Sequence, residues 1–192
     1  MEERATSALI NNLAVLLKKQ GNLGEAEPLY REAVTGCRRT LGDEHSSTLA
    51  SINNLAILLK DKGKLGEAEP LYREALAGRR RTLGDEHPDT LGSINNLALL
   101  LNDQGKLGEA EPLYREALAG KRRTLGDEHP STLNSIFNFA GLLWKQGKKA
   151  EALEMYREEL EGVRRVLGED HPSTQQSLRN FNRLASSNED EE

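Results

Sequence analysis

The chain has 192 residues, a net charge of −5 and a single cysteine, Cys37. Charged residues make up 30% of it without the basic excess that nucleic-acid binding requires, and one cysteine can supply neither a disulfide framework nor a metal cluster. Met1 to Thr6 includes charged residues, and no apolar run approaches the roughly 18 residues of a membrane span. We therefore expect no signal peptide, no membrane contact and a reducing compartment, the cytoplasm.

The most informative feature is an internal repeat with a period of 42 residues. The segments 43–84 and 85–126 differ at only seven positions. The same spacing separates the tyrosines Tyr30, Tyr72, Tyr114 and Tyr156. A fixed period in this range is typical of a solenoid, in which each unit buries its apolar face on its neighbours. We predict one array over residues 1–186, with repeats at about 5–42, 43–84, 85–126 and 127–168.

Each repeat is predicted to contain two antiparallel helices, which we call helix A and helix B. In the second repeat, apolar residues recur at helical spacing over about 47–62, which predicts helix A. Gly63 supplies the left-handed conformation that ends this helix, and the apolar positions from Leu65 to Leu83 mark a longer helix B. Gly84 fits the C-cap of helix B, and Pro88 fits the first turn of the next helix A with a polar N-cap before it.

The end of the chain departs from the repeat. Residues 172–186 occupy the register of a fifth helix A but are mostly polar, which favours a solvated capping helix. Residues 187–192 are acidic and are expected to form a disordered tail.

The residues that carry a family resemblance lie in both helices. The pattern Asn54-Leu55-Ala56-x-x-Leu59, then Gly63, then Ala68-x-x-x-Tyr72 and Ala75 resembles the tetratricopeptide core, although the period is longer than the standard one. This longer version is similar to the repeats of kinesin light chains and nephrocystin-3-like proteins. The resemblance implies an all-α, right-handed α-solenoid (superhelix) of four antiparallel helix pairs plus a C-terminal capping helix. It also implies a non-enzymatic protein-protein interaction scaffold that binds an extended partner peptide in a concave groove lined by helix A.

Asparagines recur in the middle of helix A, where their helix propensity is mediocre. We call this set the asparagine row: Asn11, Asn12, Asn53, Asn54, Asn95, Asn96 and Asn138. In the proteins that the chain resembles, the amide at the position of Asn12, Asn54, Asn96 and Asn138 hydrogen-bonds the backbone of the peptide. An amide has both donors and an acceptor, as a peptide unit requires. The alternative is that the amides bond one another in a ladder between repeats, and the two arrangements can coexist.

Lys18 and Lys60, further along the same register, predict a preference for an acidic peptide. In the fourth repeat, Gly141 leaves a gap beside Phe137 and Trp144 that could hold a large apolar side chain of the partner.

The alternative interpretation of these aromatic residues is structural. Phe137, Phe139 and Trp144 would then pack on the capping helix. Phe139 shares the register of Leu13, Leu55 and Leu97, and we expect it in the core in either case.

Two further charged sets have mainly structural interpretations. The basic runs at the ends of helix B match the helix dipole, and nearby acidic residues would offset a basic ridge that could otherwise contact phosphate. One histidine per repeat places neighbours roughly 10 Å or more apart, too far to share a zinc ion. These histidines are His45, His87, His129 and His171. We predict no catalytic residue, no cofactor and no metal site.

Two other classes of function stay open at this stage. The chain could be a structural or self-associating array that stacks through its ends. Its near-identical repeats could also reflect recent duplication or consensus design without a dedicated peptide ligand.

Overall fold

In a computed structural model of the protein, which describes residues 2–189 and the side chains of residues 6–186, all regular elements are α-helices. These are α1 (Glu2–Lys19), α2 (Leu23–Leu41), α3 (Ser46–Asp61), α4 (Leu65–Leu83), α5 (Pro88–Asp103), α6 (Leu107–Leu125), α7 (Pro130–Lys145), α8 (Lys149–Leu167) and α9 (Pro172–Glu189). Odd-numbered helices up to α7 are helices A, and the even-numbered ones are helices B. The predicted helix pairs are therefore confirmed, with the ends of α3 one residue earlier than expected.

The chain divides into two compact units, Met1–Gln104 and Gly105–Glu192. In the first unit, consecutive helices from α1 to α5 pack on one another, and the A helices also contact directly, α1 with α3 and α3 with α5. In the second unit, α6, α7, α8 and α9 pack consecutively. One continuous array over residues 1–186 stays a prediction.

Glycines and histidines set the helix boundaries. Gly63, two residues after the end of α3, has a φ of 74°, in the left-handed region that the sequence predicts, and Gly84 is the C-cap of α4, as predicted, with a φ of 85°. His87 is the N-cap of α5, with an extended backbone and a side chain that accepts a hydrogen bond from the N–H of Asp89. Pro88 follows it in the first turn, as expected.

The core is built from equivalent residues of each repeat. Tyr72 of helix B and Leu58 of helix A are both buried, at 1% and 0% exposure. Phe139 is 5% exposed and stacks on Tyr114 of α6, with ring centroids 6.1 Å apart, so its place in the core is confirmed. Leu13, in the same register, is 48% exposed instead. Phe139 is covered by helix B of the preceding repeat, whereas α1 is the first described helix and has no such helix B before it among the described residues.

Helix α9 lies at the end of the second unit and packs on α8. Its buried residues are small and polar, Thr174 and Ser177, whereas Gln176 and Arg179 are exposed, which agrees with a solvated cap. The helix continues to Glu189, three residues beyond the predicted end. Residues 190–192 of the predicted acidic tail lie outside the described residues.

Candidate functional site

The asparagine row forms hydrogen bonds between neighbouring repeats. In the first unit, Asn54 Nδ2 donates to Asn11 Oδ1 at 3.3 Å, and Asn96 Nδ2 donates to Asn53 Oδ1 at 3.3 Å. The amide ladder that the sequence left as an alternative is therefore present. Each ladder bond uses only one N–H of its donor and leaves that residue's carbonyl oxygen and second N–H for other partners.

The two members of each asparagine pair differ in exposure. Asn53 and Asn95 are buried, at 7% and 6% exposure, so they offer little surface to a partner. Asn54 and Asn96 are half-buried, and Asn12 is exposed. Asn54 and Asn96 are therefore each held by an asparagine of the preceding repeat, half-buried Asn11 and buried Asn53, while part of their own surface faces solvent.

In the second unit, the row continues with a contact inside one helix. Asn138 is half-buried, and its Nδ2 donates to Asn134 Oδ1 at 3.1 Å, one turn earlier in α7. Its role in peptide binding stays a prediction.

The two lysines assigned to acidic partners already form ion pairs. Lys18 Nζ lies 2.9 Å from Asp61 Oδ2, and Lys60 Nζ lies 3.5 Å from Asp103 Oδ2. Each pair joins a helix A to the end of the next one. An acidic side chain of a partner must therefore compete with an aspartate of the chain, which weakens the argument for acidic partners.

The aromatic residues of the fourth repeat pack against α8. A methyl group at Gly141 would lie 3.3 Å from Tyr156 Oη, so this tyrosine borders the gap expected there, and its use by a partner stays a prediction. Phe137 meets the same ring edge-on, with centroids 5.4 Å apart. Trp144 is half-exposed, with Lys149 Nζ 5.6 Å from the centre of its ring. The contacts described for Phe137 and Trp144 are made to α8, not to the predicted capping helix.

The histidines act as helix caps. Each Nδ1 accepts a hydrogen bond of 3.1 Å from the backbone N–H two residues later, at the start of α3, α5, α7 and α9. This contact satisfies one of the free N–H groups at a helix N-terminus. Among the described residues, no three histidine, cysteine or acidic side chains are arranged to hold a metal ion.

The basic residues at the ends of helices B are paired with acidic ones. An arginine in the last turn of each helix B pairs with an acidic residue at the start of the following segment: Arg38 with Asp43, Arg80 with Asp85, Arg122 with Asp127 and Arg164 with Glu169. Within the second and fourth repeats, Arg81 and Arg165 reach Glu44 and Glu128 at 2.7 and 2.9 Å. This pairing agrees with the prediction that acidic residues offset the basic ridge.

A cluster that the sequence analysis missed joins adjacent repeats through a buried carboxylate. Glu27 accepts hydrogen bonds from Lys62 at 2.5 Å, from Arg31 at 2.9 Å and from Lys64 at 3.1 Å. The Lys62 bond and then the Arg31 bond are the main causes that lower the pKa of Glu27 from 4.5 to about 2, against the effect of burial.

The second unit repeats this cluster around Glu111. Its partners are Arg115 at 2.5 Å, Gln146 at 2.9 Å and Lys148 at 3.1 Å, and its pKa is also lowered to about 2, chiefly by the Arg115 bond. The signal was present in the sequence, since glutamate recurs at this position in three repeats with lysine 37 residues later.

No helix among the described residues is long and apolar enough to cross a membrane.

The stacked helix pairs and the inter-repeat ladder define an α-helical repeat scaffold. The sequence profile described as "Tetratricopeptide repeat" matches residues 4–81, 47–122 and 89–165, and the chain belongs to this family. The fold class predicted from the sequence is confirmed as that of an all-α tetratricopeptide solenoid. Repeats of this family serve generally as scaffolds for protein interactions.

Solved structures give the same result over nearly the whole chain. A proposed kinesin light chain of Podosopora anserina with nearly identical TPR-like repeats has 30% sequence identity and a TM-score of 0.85, with 99% of this chain and 90% of that chain covered. A single-substitution variant of that protein gives a TM-score of 0.86 at the same identity and coverage. BtubC (BKLC) from P. vanneervenii has 25% identity and a TM-score of 0.82, covering 98% of this chain and 75% of that chain. No curated protein sequence matches the chain.

Proposed function

We propose that the chain is a non-enzymatic scaffold that binds an extended peptide segment of a partner protein along its A helices, in the cytoplasm and without a cofactor. The observation that carries this proposal is the pair Asn54 and Asn96. Each is a half-buried amide on successive A helices, oriented by a hydrogen bond to the preceding repeat. A regular series of oriented amides matches the regular peptide units of an extended segment.

The ladder makes these amides suitable for binding because it fixes their rotamers before the partner arrives. A free asparagine side chain loses rotamer freedom when it binds, and this loss opposes affinity. Asn96 has already lost part of that freedom through Asn53. The half-buried setting also strengthens a new hydrogen bond relative to one in bulk water.

The charge of the partner is a separate part of the proposal. Lys18 and Lys60 would accept acidic residues of the segment in exchange for Asp61 and Asp103, while Lys19 is an exposed cation nearby. Because exposed ion pairs contribute about 0 to 1 kcal/mol, such an exchange is close to neutral. We therefore assign specificity chiefly to backbone contacts and to apolar anchors, and only a mild preference to acidic residues.

The test is a selection from a display library of short peptides of disordered regions, followed by affinity measurements on two matched variants. Asn96→Ala removes the accessible amide together with its ladder bond. Asn53→Ala removes the same ladder bond from the buried side and keeps Asn96. If Asn96 contacts the peptide, Asn96→Ala lowers affinity by about 1 kcal/mol or more beyond Asn53→Ala, at similar losses of stability.

The outcome that contradicts the proposal is equal affinity of the parent and the Asn96→Ala variant for every enriched peptide. Equal weakening by both variants would assign the asparagines to the ladder alone. If no peptide is enriched, the array without a dedicated ligand becomes the better interpretation.

A second candidate function, self-association, is supported by the exposed apolar face of α1. Leu9, Leu13 and Leu16 lie on one side of this helix and are 68%, 48% and 52% exposed. In α3 the residues at the last two of these positions, Leu55 and Leu58, are buried at 3% and 0%. Sedimentation velocity over a range of concentrations tests this candidate, since a monomer at all concentrations excludes association through α1.

A further inference from the structure

One position near the end of helix B carries a cationic side chain in the two middle repeats and a smaller, uncharged side chain in the first and fourth. The cationic side chain fills a space that is an open cavity in the other two repeats. In the second repeat, Arg79 donates to Ser93 Oγ at 2.7 Å, and in the third repeat Lys121 donates to Ser135 Oγ at 2.7 Å. Each cation also donates to a backbone carbonyl oxygen in the first turn of the following helix A, Arg79 to that of Asp89 at 3.0 Å and Lys121 to that of Ser131 at 3.3 Å. Burial lowers the pKa of both side chains. A lysine or arginine side chain is thus what fills this space in the middle repeats.

The fourth repeat lacks the plug. Val163 occupies the position of Lys121, and a cavity of about 260 Å³ remains between α7, α8 and the start of α9. We call it the fourth-repeat cavity. The residues that line it include Leu133, Phe137, Glu159, Val163, Val166 and Leu167. Val166 and Leu167 are 43% and 44% exposed, so the rim of the cavity is apolar and open to solvent.

A buried carboxylate lies in this cavity. Glu159 stands where the other repeats have Ala33, Ala75 and Ala117, and it is only 6% exposed. Ser177 Oγ of α9 donates to its Oε1 at 2.8 Å, and burial raises the pKa of Glu159 against this bond. Burying an ionised carboxylate costs desolvation free energy, which a cationic partner offsets much better than a hydroxyl group does. The described donor to Glu159 is only a hydroxyl group, so this cost is poorly offset.

The arrangement of the serines shows where a cation would bind. Ser177 has the register of Ser135, the residue that accepts the hydrogen bond of Lys121. In the fourth repeat this serine contacts Glu159 instead. A cation that entered along the path of Lys121 would therefore meet both the hydroxyl of Ser177 and the carboxylate of Glu159.

The departures from the repeat pattern converge on this cavity. Five of its lining residues differ from the third repeat at the same position: Asn134, Phe137, Glu159, Val163 and Val166. Val166 stands where the other repeats have a threonine. The hydroxyl group of that threonine donates a hydrogen bond of 2.8 to 2.9 Å to the backbone carbonyl oxygen four residues earlier in its own helix. Together these changes remove a cation, add an anion and make the rim more apolar.

We infer that the fourth-repeat cavity binds a lysine or arginine side chain of a partner segment, with the aliphatic stem against Phe137, Val163 and Leu167 and the cationic end at Glu159. The inference deepens the proposed function, because its occupant belongs to the bound segment. It involves only residues of α7, α8 and α9 and does not depend on Asn54 or Asn96. A long cationic side chain is suited to such a site, since its stem packs on apolar groups while its end needs an anion.

The first test is a methyl NMR titration of the whole chain with three pentapeptides, Gly-Gly-Xaa-Gly-Gly with blocked ends, where Xaa is lysine, arginine or norleucine. We expect saturable shifts of the Val163, Val166 and Leu167 methyl groups with lysine or arginine, and binding of the norleucine peptide weaker by about tenfold or more. Glu159→Gln, which keeps the shape and the Ser177 contact, is expected to abolish the difference. Equal binding of the norleucine peptide, or unchanged binding to Glu159→Gln, overturns the inference.

The chain contains an internal control cavity. The equivalent space in the first repeat, about 460 Å³, is lined by Cys37 and Leu41 and has Ala33 in place of the glutamate. Methyl groups there, such as those of Leu41, are expected not to shift. The Asn54→Ala/Asn96→Ala variant is expected to keep the pentapeptide shifts, so failure of the proposed function and failure of this inference are distinguishable.

The second test supplies the cation within the chain. Val163→Lys restores the plug of the third repeat beside Glu159, so we expect it to raise the melting temperature and to block the pentapeptide shifts. In a Glu159→Gln background the same substitution is expected to lose this gain. A Val163→Lys chain that is destabilised equally in both backgrounds and still binds the lysine peptide contradicts the inference.

Discussion

Neutralising Glu27 is expected to weaken the connection between the first two repeats in a pH-dependent way. The substitution Glu27→Gln keeps the size of the side chain and removes the charge that Lys62, Arg31 and Lys64 contact. A pKa lowered from 4.5 to about 2 corresponds to about 3 kcal/mol of stability if it is fully expressed.

The expected effect is smaller than this limit because water reaches the partners. The side chains of Arg31, Lys62 and Lys64 are 49%, 24% and 39% exposed, whereas that of Glu27 is 12% exposed. Screening of such partly exposed pairs reduces the contribution, and we expect Glu27→Gln to lower the free energy of unfolding by about 1 to 2 kcal/mol at pH 7.

The sign of the pH dependence follows from the lowered pKa. Glu27 is ionised in both states above its ordinary pKa of 4.5, where its stabilising contribution is complete. As the pH falls from 4.5 toward 2, the unfolded chain takes up the proton first, and the contribution is lost. The difference between the parent and Glu27→Gln is therefore expected to shrink over this range.

Urea unfolding followed by circular dichroism at several pH values from 7 to 2.5 measures this difference. Hydrogen exchange of α1 and α2 locates it, since weakening one interface of a repeat array loosens the repeats on one side first. The matched control is Glu32→Gln on the exposed side of α2, expected to change stability by no more than about 0.5 kcal/mol. Equal stability of the parent and Glu27→Gln at pH 7, or a difference at pH 2.5 as large as that at pH 7, would refute the reasoning.

Two other substitutions test the local structure by thermal denaturation. His87→Ala is expected to cost about 1 kcal/mol through loss of the α5 cap, whereas His87→Asn, whose carbonyl oxygen can accept the same bond, should stay close to the parent; equal losses would contradict the capping role. At Gly78, a methyl group would lie 2.4 Å from Leu49 Cδ2, and we expect Gly78→Ala to destabilise the chain by about 1 kcal/mol despite its better helix propensity. The control is Gly66→Ala, where the added methyl group meets no atom within 4 Å and is expected to stabilise the chain by up to about 1 kcal/mol. A Gly78→Ala variant as stable as the parent would show instead that Leu49 moves aside freely.

The inter-repeat contacts have a consequence for the proposed scaffold. Glu27 ties helix B of the first repeat to the loop before the next helix B, while the ladder bond of Asn54 ties the two A helices. Both contacts restrain rotation between the same two repeats. Such restraint keeps the spacing of the amides constant, which favours binding of an extended segment without a large loss of entropy.

The sequence by itself determined the helix pairs and their boundaries. A period of 42 residues, apolar spacing within helices and glycines such as Gly63 are local signals, and local backbone preferences decide where a helix begins and ends. The core position of Phe139 could be predicted for the same reason, since it shares the register of residues that every inner repeat buries.

Only the tertiary structure decided which groups meet between repeats. Asn54 bonds Asn11 across 43 residues, and Lys18 pairs with Asp61 across the same separation, because the rotation of one helix pair on the next sets these distances. Register alone also fails at the first helix, since Leu13 is exposed where its equivalents are buried. Glu159 is the remaining example: its burial depends on α9 covering α8, which no local pattern around the residue indicates.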